Sequence, residues 1–276
     1  MANESTYASI ATVVNAIWEE AILAAREMMV VQPLVKNMSG DGLTTRKWTN
    51  YTGGTVQEIA ETDDLAAQTF NHAVGGTLTP VTKAAAYFLT DSRIASDWAN
   101  ARGDAATDLG QIIAVQIDAD LVGNFASLTG GTVGTAGGTL TFANVLYAAA
   151  KVRAQKVSGV LRCVLHPVQM HYVLSGSVPD LVKSPRFMDS LASNWYVGGY
   201  GGIEFFTDAN IASGTAAKGA IFAEPAIAYD LRRAFRIEPQ RDASRGGGGW
   251  ELNATTQYAN GVYRPLFGAQ LIGTSV

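Results

Sequence analysis

Residues Asp104–Leu128 read DAATDLGQIIAVQIDADLVGNFASL. Apolar side chains fall at Leu109, Ile112, Ile113, Ile117, Leu121 and Phe125, mostly three or four residues apart. That is the 3.6-residue period of a helix burying one stripe. Asp104 follows Gly103 and predicts an N-cap, its carboxylate accepting from an amide that the first turn leaves unpaired. At ~1.5 Å per residue the stretch makes a rod of roughly 36 Å. Gln111, Gln116 and Asp120 lie opposite the stripe, with Asp118 and Asn124 nearer its seam. Before this rod the chain reads as extended and short of its own core. After it, the chain reads as compact.

The 276 residues are 47% apolar and 16% charged, against ~25% charged in ordinary soluble domains. Few charges on a normally apolar chain point either to a surface covered by partners or to a low-charge monomer. A net charge of −4 leaves no electrostatic footprint for tight nucleic-acid binding. Cys163 is the single cysteine, which excludes an intramolecular disulfide and a cysteine-based zinc site. The opening residues, MANES, lack a basic n-region, and no stretch approaches ~18 uninterrupted apolar residues. The expectation is a cytoplasm-like compartment and no membrane span.

In chain order, Ser9–Met29 predicts a helix with Ile10, Val13, Val14, Ile17, Ala21, Ala24, Ala25 and Met28 on one face. Either it packs in this molecule's own core or it docks on a neighbour. Pro33 interrupts, and Ser39–Gly42 is a turn cluster. Leu43–Tyr51 is rich in β-formers without a continuous apolar face, and Gly53–Gly54 break it. Glu58, Glu61, Asp63 and Asp64 form an acidic segment before Gln68–Val74 returns as a strand. This is a long hairpin with an irregular, acidic tip. A lone two-stranded ribbon is marginal in water, so a partner subunit is the economical support.

Val81–Leu89 predicts a strand, and Thr90-Asp91 open a helix over Ser92–Asn100. Past the rod, the glycine-rich run Thr129–Gly138 predicts a loop between lobes. It is no phosphate loop, because neither a following Gly-Lys-Ser/Thr nor a preceding strand is present. Phe142–Val152 and Val168–Leu174 read as helices around a buried strand, Val160–Leu165. After Pro179, Pro185 and a glycine turn (Gly198–Gly202) come short strands at Ile203–Thr207, Gly219–Ala223 and Ala269–Gly273. Together they predict an α+β lobe around a small mixed sheet. Between the last two, Leu231–Glu238 and Trp250–Arg264 form a second long hairpin with little core of its own. Its edge carries Arg232, Arg233 and Arg236, and its polar loop is Arg241–Gly249.

Cys163 with His166 and His171 invites a cysteine–histidine nucleophile, yet a cysteine in an apolar strand is ordinarily inert packing. Three histidines, two of them five apart, do not make the i,i+4 pair of a helical metal site. The acidic tip lacks the spacing of a calcium loop. We therefore assign no catalytic residue, cofactor or metal. The sharper expectation is that the tip meets Arg241 and Arg245 of another subunit, where rim ion pairs set register. The arginines of the second hairpin could also touch DNA phosphates. Alternation puts Arg232 and Arg236 on one face and Arg233 on the other, so intersubunit pairing is preferred.

The order of elements is helical arm, long hairpin, strand, short helix, long helix, α+β lobe, second hairpin and closing strand. It resembles the Hong Kong 97-type major capsid proteins of tailed bacteriophages over nearly the whole chain. Leu43–Val74 resembles the extended E-loop and Leu89-Thr90-Asp91 the lead into the peripheral domain. Asp104–Leu128 resembles that domain's spine helix, and Val164-Leu165-His166-Pro167 the axial strand that ends in a proline-led helix. Phe235–Tyr263 resembles the hairpin before a closing strand.

The resemblance implies an arm over 1–42, an E-loop over 43–80, a peripheral domain over 81–139 and an axial domain over 140–228. The peripheral long hairpin would span 229–264 and the closing strand 265–276. It further implies hexamers and pentamers closing into an icosahedral shell around double-stranded DNA, in a virion assembled in a bacterial cytoplasm. Expected partners are copies of the chain, a separate scaffolding protein, a portal protein, weakly and non-specifically held DNA and a decoration protein. Arg46, Lys47, Trp48, Glu58, Glu61, Asp63, Asp64, Arg241 and Arg245 are the expected intersubunit contacts. An encapsulin-like compartment shell and a cytoplasmic enzyme are the alternatives.

Overall fold

The computed structural model describes residues 29–38, 45–51, 54–61, 64, 66–70, 72–96, 101–175, 196–244 and 247–276. The helix expected over Ser9–Met29 falls outside them save for Met29. So do the turn Ser39–Gly42, Pro179, Pro185, and the candidate contacts Asp63 and Arg245. The elements are β1 (Lys36–Asn37), β2 (Arg46–Tyr51), β3 (His72–Leu78), β4 (Val81–Thr90), α1 (Asp91–Ser96), α2 (Ala101–Gly123), β5 (Thr132–Gly134), α3 (Phe142–Ala154), β6 (Leu161–Leu165) and α4 (Pro167–Ser175). They continue with β7 (Tyr196–Tyr200), β8 (Ile203–Thr207), β9 (Ala217–Ala223), β10 (Ile227–Asp242), β11 (Gly249–Val262) and β12 (Gly268–Gly273).

The expected rod is α2, extended by a single 3-10 turn, Asn124–Ser127. It starts earlier than read from sequence, so Asp104 sits in its first turn rather than at its cap. Leu109, Ile113, Ile117, Leu121 and Phe125 are buried, and Ala106, Ala114 and Asp118 join them. Ile112 is 41% exposed whereas Ile113 is 4% exposed. Only one of two adjacent helical residues can face a flat partner, because each step turns the helix by about 100°.

That partner is a sheet ordered β1-β10-β11-β4. Along β11, Leu252, Ala254, Thr256 and Tyr258 alternate inward, the period-2 burial of a one-faced sheet. The second hairpin is thus not coreless; its inner face and α2 bury each other. Asp120 clamps the contact, accepting from Tyr258 Oη at 2.7 Å and Gln116 Nε2 at 2.7 Å, with Lys83 Nζ at 3.4 Å. Burial and the bond to Asp120 push the Tyr258 phenol well above its usual pKa, so it stays a donor. Tyr87 of β4 likewise donates to Asp108.

Strict alternation fails along β10, where the register shifts between Leu231 and Arg233 and again before Arg236. Such bulges re-aim side chains. The Thr256 hydroxyl donates to the Arg233 carbonyl at 3.2 Å within this irregular stretch.

The second layer is a mixed sheet ordered β5-β12-β9-β6-β8-β7, with β5–β12 and β6–β8 parallel and the other pairs antiparallel. α3 packs Val145, Ala148, Ala149 and Val152 on it. Thr141 caps α3, its side chain accepting from the Asn144 amide. Buried Gln169, at the start of α4, donates to the carbonyls of Ala217 and Gly273 and so ties β9 to β12. Two sequence expectations are corrected. The glycine run Thr129–Gly138 holds a strand, β5, and the glycine turn at Gly198–Gly202 is largely the strand β7. No helix among the described residues is long and apolar enough to cross a membrane.

Candidate functional site

β2 and β3 pair only with each other and project as a ribbon. The returning strand begins at His72 rather than Gln68, which leaves a longer irregular tip. The tip is held by the Gln68 carboxamide, which accepts from the Thr55 amide and donates to the Thr55 carbonyl. Gln57 adds a bond to the Ala66 carbonyl. This mimics a strand pair with a side chain.

Along this limb Tyr51, Val56, Ile59 and Phe70 are exposed, and Tyr51 stacks on Phe70 at 5.1 Å between centroids. Glu58, Glu61 and Asp64 are exposed as well. Aromatic and branched side chains gathered on a projection without a core mark a contact surface. Sequence reading picked out the charges here and passed over the apolar residues. Their irregular spacing carries no periodic signal.

The ribbon's root is built differently. The Asp230 side chain is fully buried and paired with Arg232 at 2.8 Å and with Arg46 at 3.1 Å. A carboxylate removed from water requires such partners. Trp48 lies flat over Gly75 and Gly76, where a Cβ would collide with the indole. Its ring also meets Tyr263 at 5.2 Å, and Lys36 lies over the other ring of that pair at 4.5 Å. Leu78, Ala228 and Ala259 close a small core beneath. The ribbon therefore leaves the body at an angle set by an ion cluster and an aromatic wedge. Beside it, Thr49, Asn50, Tyr51 and the segment Arg264–Phe267 line an open crevice of about 320 Å³.

Of the expected contact residues, Arg46 and Trp48 thus have partners in their own chain, and Lys47 is exposed. Arg241 is 2.7 Å from Asp91 and lies over the Trp250 ring. The structure does not bring it near the acidic tip of the same molecule.

Elsewhere, Cys163 is fully buried, and burial pushes its thiol far above its usual pKa. His166 uses Nδ1 to accept from the Val168 amide, and burial lowers its pKa. A protonated thiol without access is no nucleophile. Among the described residues no group of three or more His, Cys, Asp or Glu side chains could hold a metal.

No family model matches the sequence, and no curated protein sequence matches it. Solved structures do. The chain is similar to one from Mycobacterium phage Che8 (TM-score 0.68, 14% identity, covering 83% of this chain and 85% of that one). It is similar to the capsid structure of cyanophage P-SCSP1u (TM-score 0.69, 12% identity, 90% and 89% covered). It is also similar to a virus-like particle chain from Pyrococcus furiosus (TM-score 0.64, 10% identity, 94% and 99% covered).

Proposed function

From the Hong Kong 97-type capsid fold of this chain we infer a major capsid protein, a shell subunit rather than a free-standing monomer. The observation that carries it is the ribbon. It is an ordered limb whose apolar residues face solvent, on a fold whose relatives include chains of phage capsids. Burial of apolar surface against a neighbour is the main drive for such association.

In this reading copies of the chain form hexamers and pentamers that close into an icosahedral shell around the double-stranded DNA of a tailed phage. Assembly takes place in the host cytoplasm with a separate scaffolding protein and a portal. A decoration protein can follow. With net charge −4 the shell touches its DNA only weakly. The domain assignment stands within the same proposal: E-loop 43–80, peripheral domain 81–139 with 229–264, axial domain 140–228 with 265–276. The tip's Glu58, Glu61, Asp63 and Asp64 supply register against Arg241 or Arg245 of a neighbour. There Arg241 would exchange its bond to Asp91.

Electron microscopy of the expressed chain, alone and with scaffold supplied, tests the reading. Shells, tubes or capsomers are expected. A monodisperse monomer at every concentration, with and without scaffold, sinks it. Particles that hold cargo protein and never long DNA would favour the compartment reading instead.

A further inference from the structure

Two aspartates are buried together away from the ribbon. Asp118, on the inner face of α2, and Asp208, just after β8, are 0% and 2% exposed. Asp118 is well supplied with donors: the Val31 amide gives to Oδ1 at 2.8 Å and Asn210 Nδ2 to Oδ2 at 3.2 Å. Asp208 Oδ1 accepts from the Asn210 amide at 2.8 Å, but Oδ2 is buried without a donor. The two carboxyl groups themselves lie within hydrogen-bonding reach. Between two carboxylates that approach is repulsive. With one proton between them it becomes a bond, and the orphaned oxygen is satisfied.

The groups around the pair leave no other partner for it. On α2, Asp120 is engaged by Tyr258, Gln116 and Lys83, and Arg102 lies over Trp250. On β6, Arg162 donates to the Leu34 carbonyl and pairs with Glu224. Lys36, at the end of the Met29–Val35 segment, lies over Tyr263. Glu204 of β8 is half-buried and Lys218 of β9 exposed; His166 accepts from Val168. Among the described residues, Asp118 supplies the charge that bears on Asp208. Burial and that charge push the Asp208 carboxyl up to about 7, against the pull of the Asn210 hydrogen bonds. A metal fits poorly, since the Asp118 oxygens already face N–H groups.

We propose that Asp118 and Asp208 share one proton and form a pH-operated latch. It fastens the Met29–Val35 segment to the long helix and to the loop after β8. Three segments far apart in sequence meet there through side-chain oxygens, so separating the carboxyls withdraws the acceptor from Val31. Asp208 holds its proton more tightly folded than unfolded. The stabilisation is therefore complete below the ordinary aspartate pKa of ~4 and is lost as pH rises through neutrality. The latch stands whether or not the chain builds shells. Only its use, timing the freedom of the N-terminal segment during assembly, rests on the shell reading.

Hydrogen exchange on the full chain, corrected for the intrinsic pH dependence of exchange, reads the latch directly. Peptides over Val30–Val35 should lose about tenfold protection between about pH 6 and about pH 8.5 in the wild type. Asp208→Asn, a neutral side chain that can donate to Asp118, should keep them protected at both. No shift in the wild type, or the same shift in Asp208→Asn, overturns the proposal. Should that variant fail to fold, infrared spectra of the wild type give the answer. A buried protonated-carboxyl band that fades near neutrality supports the latch, and its absence overturns it. A change in protection on adding EDTA at constant pH means a metal and overturns it too. No arm of the test reads particle formation, so a failed shell reading leaves the result intact.

Discussion

Asp230 concentrates more consequence than any other side chain at the ribbon's root. It is fully buried between Arg46 and Arg232. Removing one member of a buried ion cluster leaves the remaining charge uncompensated, at a cost of about 3 kcal/mol or more. Asp230→Ala should lower unfolding free energy by that amount in denaturant titrations. Hydrogen exchange should also quicken in Arg46–Tyr51 and His72–Leu78 before it does in α2. Uniform quickening would mean the cluster holds the body and not the ribbon. Cys163 makes an opposite case, a reactive residue type made inert. Its buried, protonated thiol should resist alkylation at mildly alkaline pH until denaturant is added. Rapid labelling of the native chain would contradict its burial.

At the scale of elements, α2 was legible because its period is long and regular, and the buried residues Leu109, Ile113, Ile117 and Leu121 follow it. The error at Ile112 is instructive. Periodicity locates a stripe to within one residue on either side, and only the packed partner decides its edge. Ile113→Asp should bury an unpaired carboxylate, costing roughly 4 kcal/mol or more, enough to unfold a domain of ordinary stability. Ile112→Asp should cost less than about 1 kcal/mol. Circular dichroism and thermal melts of the two variants check both, and equal losses would place the wrong face inward. The short strands were harder. β1, two residues long, exists because β10 lies beside it in parallel. β5 exists because β12 does, around Gly134 at φ 90°. Neither has enough residues to show alternation. β7 hides behind its own glycines, which read as turn formers when no partner is in view. At the ribbon the pattern was legible as a coreless hairpin, whereas the root that anchors it joins residues more than a hundred positions apart, beyond any local signal.

For the whole molecule, the ribbon divides folding from association. Val56→Asp combined with Phe70→Asp touches no core, so the melting temperature should move by no more than a few degrees. Capsomer or shell formation should be lost, because a charge cannot enter an apolar contact unpaired. Assembly that proceeds unchanged in light scattering would remove the tip from the interface. The six-stranded sheet adds a point about time. Its strand β12, made after the other eleven, enters between β5 and β9 rather than at an edge. A ribosome-bound chain can pair β6, β8 and β9 early, but it leaves a slot open until Gly268–Gly273 emerges. Pairing so distant in sequence is slow, and the open slot exposes strand edges that invite wrong partners. A half-made chain therefore lacks the complete body on which its ribbon stands. The subunit's own synthesis acts as a checkpoint before it can join others.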